Sequence, residues 1–255
     1  MVRLPDTLVF IWRRWGGLLE DGCYNARTDP ICSGIAPASI RLSHENGGYV
    51  LSYGVNGESI RFASASSTAP FTSLVFEDGS SLSFAALMAG GLDITGTPDV
   101  DSLTGTTGSD RIDGLDGDDT LAGGGGFDIY TVAADGGFDT IIDQAAPGEE
   151  NLLVFSGPAF TLDQIRLASS GQPGFLTVEV TGETRGVSLS GFDPASALTA
   201  GAVGFFQLGD GGPVHSYAEL AAHGFDVVGT AEDDVLQGTA VFDRLSGGAG
   251  NAHLR

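Results

Sequence analysis

The amino-acid sequence predicts an all-β protein in which a parallel β-roll is flanked by small, mostly antiparallel β-modules, each ending in a short helix. Three observations support this prediction. Nine-residue units follow one another from residue 96 to residue 131. Short runs of alternating apolar and polar residues lie on both sides of these units, as expected for strands with one buried face. Residues 83–117 also align without a gap to residues 216–250, which indicates an internal duplication.

The nine-residue units share Gly at the first place, Asp at the sixth and an apolar residue at the eighth. In order they read GTPDVDSLT, GTTGSDRID, GLDGDDTLA and GGGGFDIYT, and a fifth copy, ADGGFDTII, starts at Ala134. Such a unit is too short to bury a core of its own, so it must stack on its neighbours. The eighth-place side chains are then expected to point into the coil, because successive strand residues alternate between faces. They are Leu103, Ile112, Leu121 and Tyr130.

The sixth-place carboxylates are the candidate metal ligands. If two units form one coil, turns two units apart lie on the same edge, and their carboxylates repel one another unless a cation lies between them. The stacked pairs are Asp101 with Asp119, Asp110 with Asp128, and Asp119 with Asp139. Oxygen ligands on flexible turns favour Ca²⁺ over Mg²⁺, and the absence of Cys and His from these units argues against zinc. The glycines expected to bring backbone carbonyls to the ion are Gly105, Gly108, Gly114, Gly117, Gly123 and Gly126.

This pattern, strongest from Gly105 to Thr131, resembles the RTX repeats, the haemolysin-type calcium-binding repeats of secreted bacterial proteins. The resemblance implies a location outside the cell or on its surface, and export by the type I secretion machinery. The flanking β-modules resemble the β-rich domains that often accompany such repeats, including the phrase Phe76-Glu77-Asp78-Gly79. Because the chain stops inside a repeat, we interpret it as a fragment of a longer secreted protein.

Each β-module combines short strand patterns with one helix. Strands are predicted near 39–43, 49–53, 58–63 and 73–77, and again near 164–168, 175–180, 186–190 and 203–208. Helices are predicted at 83–89 and 216–222, the second opening with the capping-box pair Ser216 and Glu219. The predicted segments are a strand remnant with an atypical insertion (1–32), a first module (33–95), the calcium-binding roll (96–147), a second module (148–228) and a truncated, degenerate repeat block (229–255).

Two segments depart from this plan. Residues 11–32 interrupt the strand pattern and contain Cys23 and Cys32, which either close a small loop in an oxidising compartment or remain two unpaired thiols. Ala252 stands where the repeat requires Asp, so the partner of Asp234 lacks a carboxylate. We therefore expect calcium binding after Gly229 to be weak or lost.

The composition restricts the partners of the chain. Its 255 residues have a formal net charge of −22 and include no lysine, which disfavours nucleic acid and anionic membrane surfaces and favours bound cations. No segment has the apolar length of a membrane span, and no cleaved signal peptide is expected. Self-repulsion of the metal-free chain predicts that the repeats fold on binding calcium.

The sequence does not predict an enzyme. The absence of lysine removes P-loop, Schiff-base and Ser-Lys chemistry, and no HExxH, GxSxG or CxxC motif occurs. Three hypotheses follow. The first is a non-catalytic calcium-binding region of a secreted bacterial protein that folds after export. The second is a calcium-stiffened adhesin or surface-array piece that binds a glycan or a protein. The third is the non-catalytic C-terminal part of an exported hydrolase.

Overall fold

The computed structural model describes residues 7–9, 14–15, 18–19, 36–45, 48–53, 58–62, 73–76, 79–134, 136–143, 150–169, 174–199, 201–239 and 241–255. The chain forms two compact units, Met1–Asp93 and Ile94–Arg255. Both cysteines of the predicted insertion lie outside the described residues, so their pairing stays open. In the described part of the chain, no helix has the length and apolar character needed to cross a membrane.

Short strands dominate the structure. Those of the first unit are β1 (Thr7–Val9), β2 (Arg14–Trp15), β3 (Leu18–Leu19), β4 (Arg41–Glu45), β5 (Gly48–Tyr53), β6 (Glu58–Phe62), β7 (Ser73–Val75) and β8 (Ser81–Ser83), and β9 (Asp93–Thr95) crosses into the second. The second unit continues with β10 (Ser102–Thr104), β11 (Arg111–Asp113), β12 (Thr120–Ala122), β13 (Ile129–Val132), β14 (Phe138–Ile141), β15 (Asn151–Phe155), β16 (Ile165–Ser169), β17 (Gly174–Val180), β18 (Gly186–Phe192), β19 (Val203–Leu208), β20 (Val214–Ser216), β21 (Phe225–Val228), β22 (Val235–Leu236), β23 (Asp243–Ser246) and β24 (His253–Leu254). The helices are α1 (Phe84–Ala89) and α2 (Tyr217–Ala221), with 3-10 turns at Pro37–Ser39, Leu162–Gln164 and Pro194–Ser196. This content confirms the predicted all-β class.

The first unit contains an antiparallel meander and one short helix. Strands β4, β5 and β6 pair in succession, with Leu42 opposite Leu51. Strand β7 pairs parallel to β1 and antiparallel to β8. Helix α1 begins after Ser83, whose hydroxyl accepts a hydrogen bond from the Ala86 N–H at 3.0 Å, as expected of an N-cap. The strands and the helix of this segment agree closely with the sequence prediction.

The nonapeptide strands alternate between two sheets, as a coil of two units per turn requires. Strand β10 pairs with β12 and β12 with β14, while β11 pairs with β13, all in parallel. Leu103 therefore lies beside Leu121, two units further along the chain. The eighth-place side chains of Ile112, Leu121 and Tyr130 are fully buried, whereas Leu103 at the start of the coil is half-buried. The predicted inward direction of this position is confirmed.

The strands after the roll extend both of its sheets. Strand β15 pairs parallel to β13, and β18 pairs parallel to β14. Within the second unit, one sheet has the order β10-β12-β14-β18-β17-β16-β21-β23, and the other runs β9-β11-β13-β15-β19-β20. Strands β16, β17 and β18 form an antiparallel meander and β20 pairs antiparallel to β19, whereas β15 and β19 continue the parallel stacking. The roll and the second β-rich segment thus share one core.

Two local features stabilise this segment without a metal. Helix α2 starts with the predicted capping box, in which Glu219 accepts a hydrogen bond from the Ser216 N–H at 2.7 Å. On the neighbouring strands β16, β21 and β23, the carboxylate of Asp226 accepts hydrogen bonds from Arg166 and Arg244. Burial acts to raise the pKa of Asp226, but the two guanidinium groups outweigh it and hold the pKa below its usual value.

Candidate metal centre

The sixth-place aspartates form two columns, one on each edge of the roll. On the first edge, Asp119 Oδ1 accepts a hydrogen bond from the Asp101 N–H at 2.8 Å, and Asp139 Oδ1 accepts one from the Asp119 N–H at 3.1 Å. On the second edge, Asp128 Oδ1 accepts one from the Asp110 N–H at 2.8 Å. The structure therefore brings these five residues together in the three pairs that the period of nine indicates.

The carboxylates of these columns are buried. Asp110, Asp119, Asp128 and Asp139 are each at most 1% exposed, and Asp101 at the start of the roll is half-buried. Burial is unusual for a carboxylate, since removal from water disfavours the charged form unless a counter-charge is present. Burial raises the pKa of Asp139 to about 7 and also raises the pKa of Asp119. Repulsion from the Asp119 carboxylate raises the pKa of Asp139 further, and repulsion from the Asp101 carboxylate does the same for Asp119. The charged forms of Asp119 and Asp139 are therefore disfavoured in the absence of a bound cation.

The first-place glycines lie directly against these carboxylates. A Cβ atom at Gly114 would lie 2.0 Å from Asp119 Oδ2, and one at Gly123 would lie 2.0 Å from Asp128 Oδ2. At Gly105 it would lie 2.2 Å from the Gly123 carbonyl oxygen. These distances leave no space for a side chain. The glycine at this place allows a backbone carbonyl of one turn and the carboxylate of another to approach the same point.

The fourth-place glycines bring stacked turns close together through their backbones. A Cβ atom at Gly117 would lie 3.0 Å from the Asp99 carbonyl oxygen, and one at Gly126 would lie 2.9 Å from that of Gly108. Both residues have a positive φ, +117° for Gly117 and +94° for Gly126, which disfavours other residue types. All six glycines predicted from the sequence lie in the roll, but only the first-place ones lie against a sixth-place carboxylate or its neighbouring carbonyl; Gly108, Gly117 and Gly126 lie where the backbones of stacked turns approach each other.

The second place of the unit divides the turns into two kinds. Where it is threonine, the turn closes on its own carboxylate: Asp101 Oδ2 accepts hydrogen bonds from the Thr97 N–H at 2.6 Å and from the Thr97 hydroxyl at 2.9 Å. Where it is Leu115 or Gly124, φ is positive, +71° and +98° respectively. The Leu115 N–H donates to Asp113 Oδ1 at 3.1 Å instead of to the sixth-place carboxylate. We call the first kind a closed turn and the second an open turn.

The open turn of Asp119 leaves one carboxylate oxygen available. Among the described residues, Asp119 Oδ2 has no hydrogen-bond partner, although the side chain is buried. A buried acceptor without a donor is rare and costs about 1–3 kcal/mol, so its presence calls for a ligand. No three Asp, Glu, His or Cys side chains in the described chain come together as a metal site. A calcium ion bound here would therefore take backbone carbonyls among its roughly six to eight oxygen ligands.

The second column ends in a neutral amide that the sequence analysis missed. Asn151 Oδ1 accepts a hydrogen bond from the Asp128 N–H at 2.8 Å, in the role that a carboxylate has elsewhere. Its side-chain N–H donates to Asp143 Oδ2 at 3.0 Å, and Asp143 also accepts from the buried hydroxyl of Tyr130. Asn151 therefore ends the column of carboxylates on this edge. The only signal was its place at the start of a strand, on the turn after Asp128.

The repeats after Gly229 form a smaller and more open coil. Strand β22 pairs parallel to β24, with Leu236 beside Leu254. Asp234 and Asp243 are both half-buried, whereas of their counterparts in the roll Asp101 is half-buried and Asp110 is fully buried. The Cβ of Ala252 lies 2.6 Å from the point that a Cβ of Gly247 would occupy, which is the place that a sixth-place carboxylate takes in the first block. This block keeps the coil but lacks the third carboxylate.

Comparison with known protein families identifies the repeats. The family described as RTX calcium-binding nonapeptide repeat (4 copies) matches residues 95–130 and 228–251. A search of the curated proteins found no match for the chain. The family match covers both repeat blocks, and the buried oxygen-lined columns of the first block have the chemistry that calcium requires. The chain therefore contains RTX repeats, calcium-binding nonapeptides of the haemolysin type, at residues 95–130 and 228–251.

Proposed function

We propose that the chain is a non-catalytic region of a secreted bacterial protein that folds when it meets calcium outside the cell. The carrying observation is the stacked column of buried carboxylates, in which Asp119 Oδ2 lacks a hydrogen-bond partner among the described residues. Bringing these groups together without a counter-ion is unfavourable, since like charges repel and buried charges lose hydration. Calcium removes both penalties.

The ligands in this proposal are side-chain oxygens of the sixth-place aspartates and backbone carbonyls of the glycine turns. The side chains are Asp101, Asp110, Asp119, Asp128 and Asp139, and the glycines are Gly105, Gly108, Gly114, Gly117, Gly123 and Gly126. Because an ion site of this kind has no preformed counterpart in the unfolded chain, the free energy of calcium binding becomes free energy of folding.

The same coupling suits export. At the low calcium concentration inside a cell, repulsion within a chain of formal charge −22 keeps the repeats expanded. An expanded chain can pass through a secretion channel. The resemblance to RTX proteins favours the type I machinery for this step. Outside the cell, calcium compacts the chain, so the ion acts as a folding switch at the point of delivery.

Circular dichroism of the full chain, titrated with calcium chloride after treatment with a chelator, tests this proposal. We expect a gain of β-structure that saturates with calcium and reverses with chelator. Magnesium chloride is the matched control ion, since it requires a stricter octahedron and should produce little change at equal concentration. A spectrum that stays the same with and without calcium would overturn the proposal.

A further inference from the structure

Four turns of the chain share one set of hydrogen bonds around a second-place threonine. In each, the threonine N–H and hydroxyl donate to the sixth-place carboxylate, and the hydroxyl accepts from the N–H of the fourth residue. The N–H to carboxylate distances are 2.6 Å for Thr97 with Asp101, 2.6 Å for Thr106 with Asp110, 2.8 Å for Thr230 with Asp234 and 2.7 Å for Thr239 with Asp243. The shortest hydroxyl contacts lie between 2.7 and 3.2 Å. The return bonds to the hydroxyl lie between 2.9 and 3.4 Å.

These hydrogen bonds stabilise the charge of the carboxylate, as a bound cation would. Hydrogen bonds to an ionised acceptor are roughly twice as strong as neutral ones, and two of them converge on the carboxylate in every closed turn. The threonine also fixes the backbone, because a β-branched residue strongly disfavours a positive φ. A closed turn is therefore held by its own residues.

The open turn at Leu115 lacks both donors. With φ of +71° at Leu115, the N–H of the second residue is directed to Asp113, and leucine has no hydroxyl. The Asp119 carboxylate keeps Oδ1 on the Asp101 N–H, while Oδ2 has no hydrogen-bond partner among the described residues. A left-handed leucine is itself unfavourable, by about 1–3 kcal/mol, so this turn carries two penalties that a bound ion can offset.

The two kinds of turn are ordered along the chain. Each repeat block begins with two closed turns, one after the other, at Thr97 and Thr106 and again at Thr230 and Thr239. In the first block, open turns follow at Leu115 and Gly124. In the second block, Gly248 has the open conformation with φ of +69°, but its turn carries Ala252 in place of the acid.

We propose that hydrogen bonds from the second-place threonine satisfy the sixth-place carboxylate in place of calcium. Closed turns then start each coil without metal. Calcium is required only where an open turn carries the sixth-place acid. The inference rests on the proposed function and narrows it. Asp119 is then a direct ligand, whereas Asp101 is held by Thr97, which acts as a positioning residue. Residues 229–255 contain closed turns and an open turn without acid, so this block forms its coil independently of calcium.

The first test compares two sixth-place residues of the same column. Asp101→Asn and Asp119→Asn each remove one charge and keep an oxygen that can accept the existing hydrogen bonds. We expect isothermal titration of the full chain with calcium chloride to give a smaller loss of calcium affinity for Asp101→Asn than for Asp119→Asn, because the Thr97 N–H and hydroxyl still hold the side chain at position 101. Asp119→Asn should lose at least one ion. Equal losses in both variants, with wild-type binding intact, would overturn this assignment alone, whereas no binding by the wild-type chain would overturn the proposed function as well.

The second test measures whether calcium compensates for the loss of the Thr106 hydroxyl. Thr106→Val removes the hydroxyl, Thr106→Ser restores it, and Thr107→Val is the matched control because Thr107 is the adjacent, exposed threonine. We expect Thr106→Val to raise the calcium concentration for half-maximal folding about fivefold, the scale expected for a lost charge-assisted hydrogen bond, and the other two variants to stay within about twofold of wild type.

A purely structural threonine would give a different result. If the hydroxyl substitutes for calcium, the urea midpoint of Thr106→Val falls at calcium just above the folding threshold and returns to the wild-type value at saturating calcium. An equal deficit at both calcium concentrations, or a Thr106→Val variant indistinguishable from Thr107→Val, would overturn the proposal.

Discussion

The two repeat blocks use the same coil with different degrees of burial. Both pair strands in parallel two units apart, and both begin with closed turns. In the first block Asp110, Asp119 and Asp128 are sealed from solvent, whereas Asp234 and Asp243 of the second remain half-exposed. Both blocks have glycine at the first place and, in their first two turns, a threonine at the second place bonded to the sixth-place aspartate. The first block differs in that a buried carboxylate oxygen, Asp119 Oδ2, has no hydrogen-bond donor among the described residues.

The largest expected difference between the blocks is their response to a chelator. Hydrogen exchange should report a loss of protection of about 100-fold or more for amides of β12 and β13 when calcium is removed, equivalent to about 2.7 kcal/mol. Amides of β22 and β24 should change by less than about threefold, since we expect no ion there. A similar loss of protection in both blocks would show that the comparison is wrong.

A methyl group added at a first-place glycine should test how closely the backbone approaches the carboxylate, without changing any charge. Gly123→Ala places a Cβ 2.0 Å from Asp128 Oδ2 and 2.6 Å from the Tyr130 hydroxyl, so we expect a loss of about 1–3 kcal/mol in urea unfolding with calcium present. Gly125→Ala is the matched control, since its nearest neighbour, Thr107 Cα, would lie at an ordinary 3.5 Å. Equal stability of both variants would contradict the close approach at the first place.

The pH dependence should follow the raised pKa of Asp139. Burial moves this pKa from 3.8 to about 7, so between these values the folded, calcium-free chain holds a proton that the unfolded chain releases. Stability without calcium should therefore fall as pH rises from about 4 to about 7. Calcium displaces this proton, so affinity should rise with pH by up to about tenfold per unit and level off above 7.

Calorimetric titration at several pH values checks this expectation, with Asp139→Asn as the control that removes the titrating group. The slope of log affinity against pH should be smaller in Asp139→Asn than in the wild-type chain. A wild-type affinity that does not change between pH 5 and pH 8 would contradict the assignment of the proton to this column.

The smallest expected effect is a gained site in the second block. Ala252→Asp restores the sixth-place carboxylate in the turn of Gly248, which already has the open conformation. We expect one additional, weak calcium ion per chain, because Asp234 lies on the adjacent coil but both groups are more exposed than those of the roll. Ala249→Asp, at the third and exposed place of the same turn, is the charge-matched control and should bind no extra ion.

The count of nine residues was sufficient to derive the register of the roll. It pairs Leu103 with Leu121 and Asp101 with Asp119, and the structure has both pairs. Local patterns also predicted the strands of both β-rich segments and the two helices, because alternation and capping are properties of neighbouring residues. These features depend on short sequence separations.

Features that depend on residues far apart in the sequence could not be predicted from local patterns. Nothing local in β15 indicates that it stacks on β13, because the pairing partner lies beyond a connecting segment. The pairs Gly96-Thr97 and Gly105-Thr106 are visible in the sequence, but their role emerges only from the positions of the donors around the carboxylate. Asn151 was missed because it fills the sixth-place role outside any nonapeptide.

The continuation of the roll's sheets has a consequence for the order in which the chain folds. Contacts within the columns close loops of 18 to 23 residues, whereas Asp143 reaches Ser190 and Asn151 reaches Ala202 across loops of 47 and 51 residues. Loop-closure entropy grows with the logarithm of length, so the longer closures cost about 0.9 kcal/mol more each. Each added coil repeats the shorter closure, so the roll is expected to grow like a zipper, with attachment of the later strands as a separate and slower event.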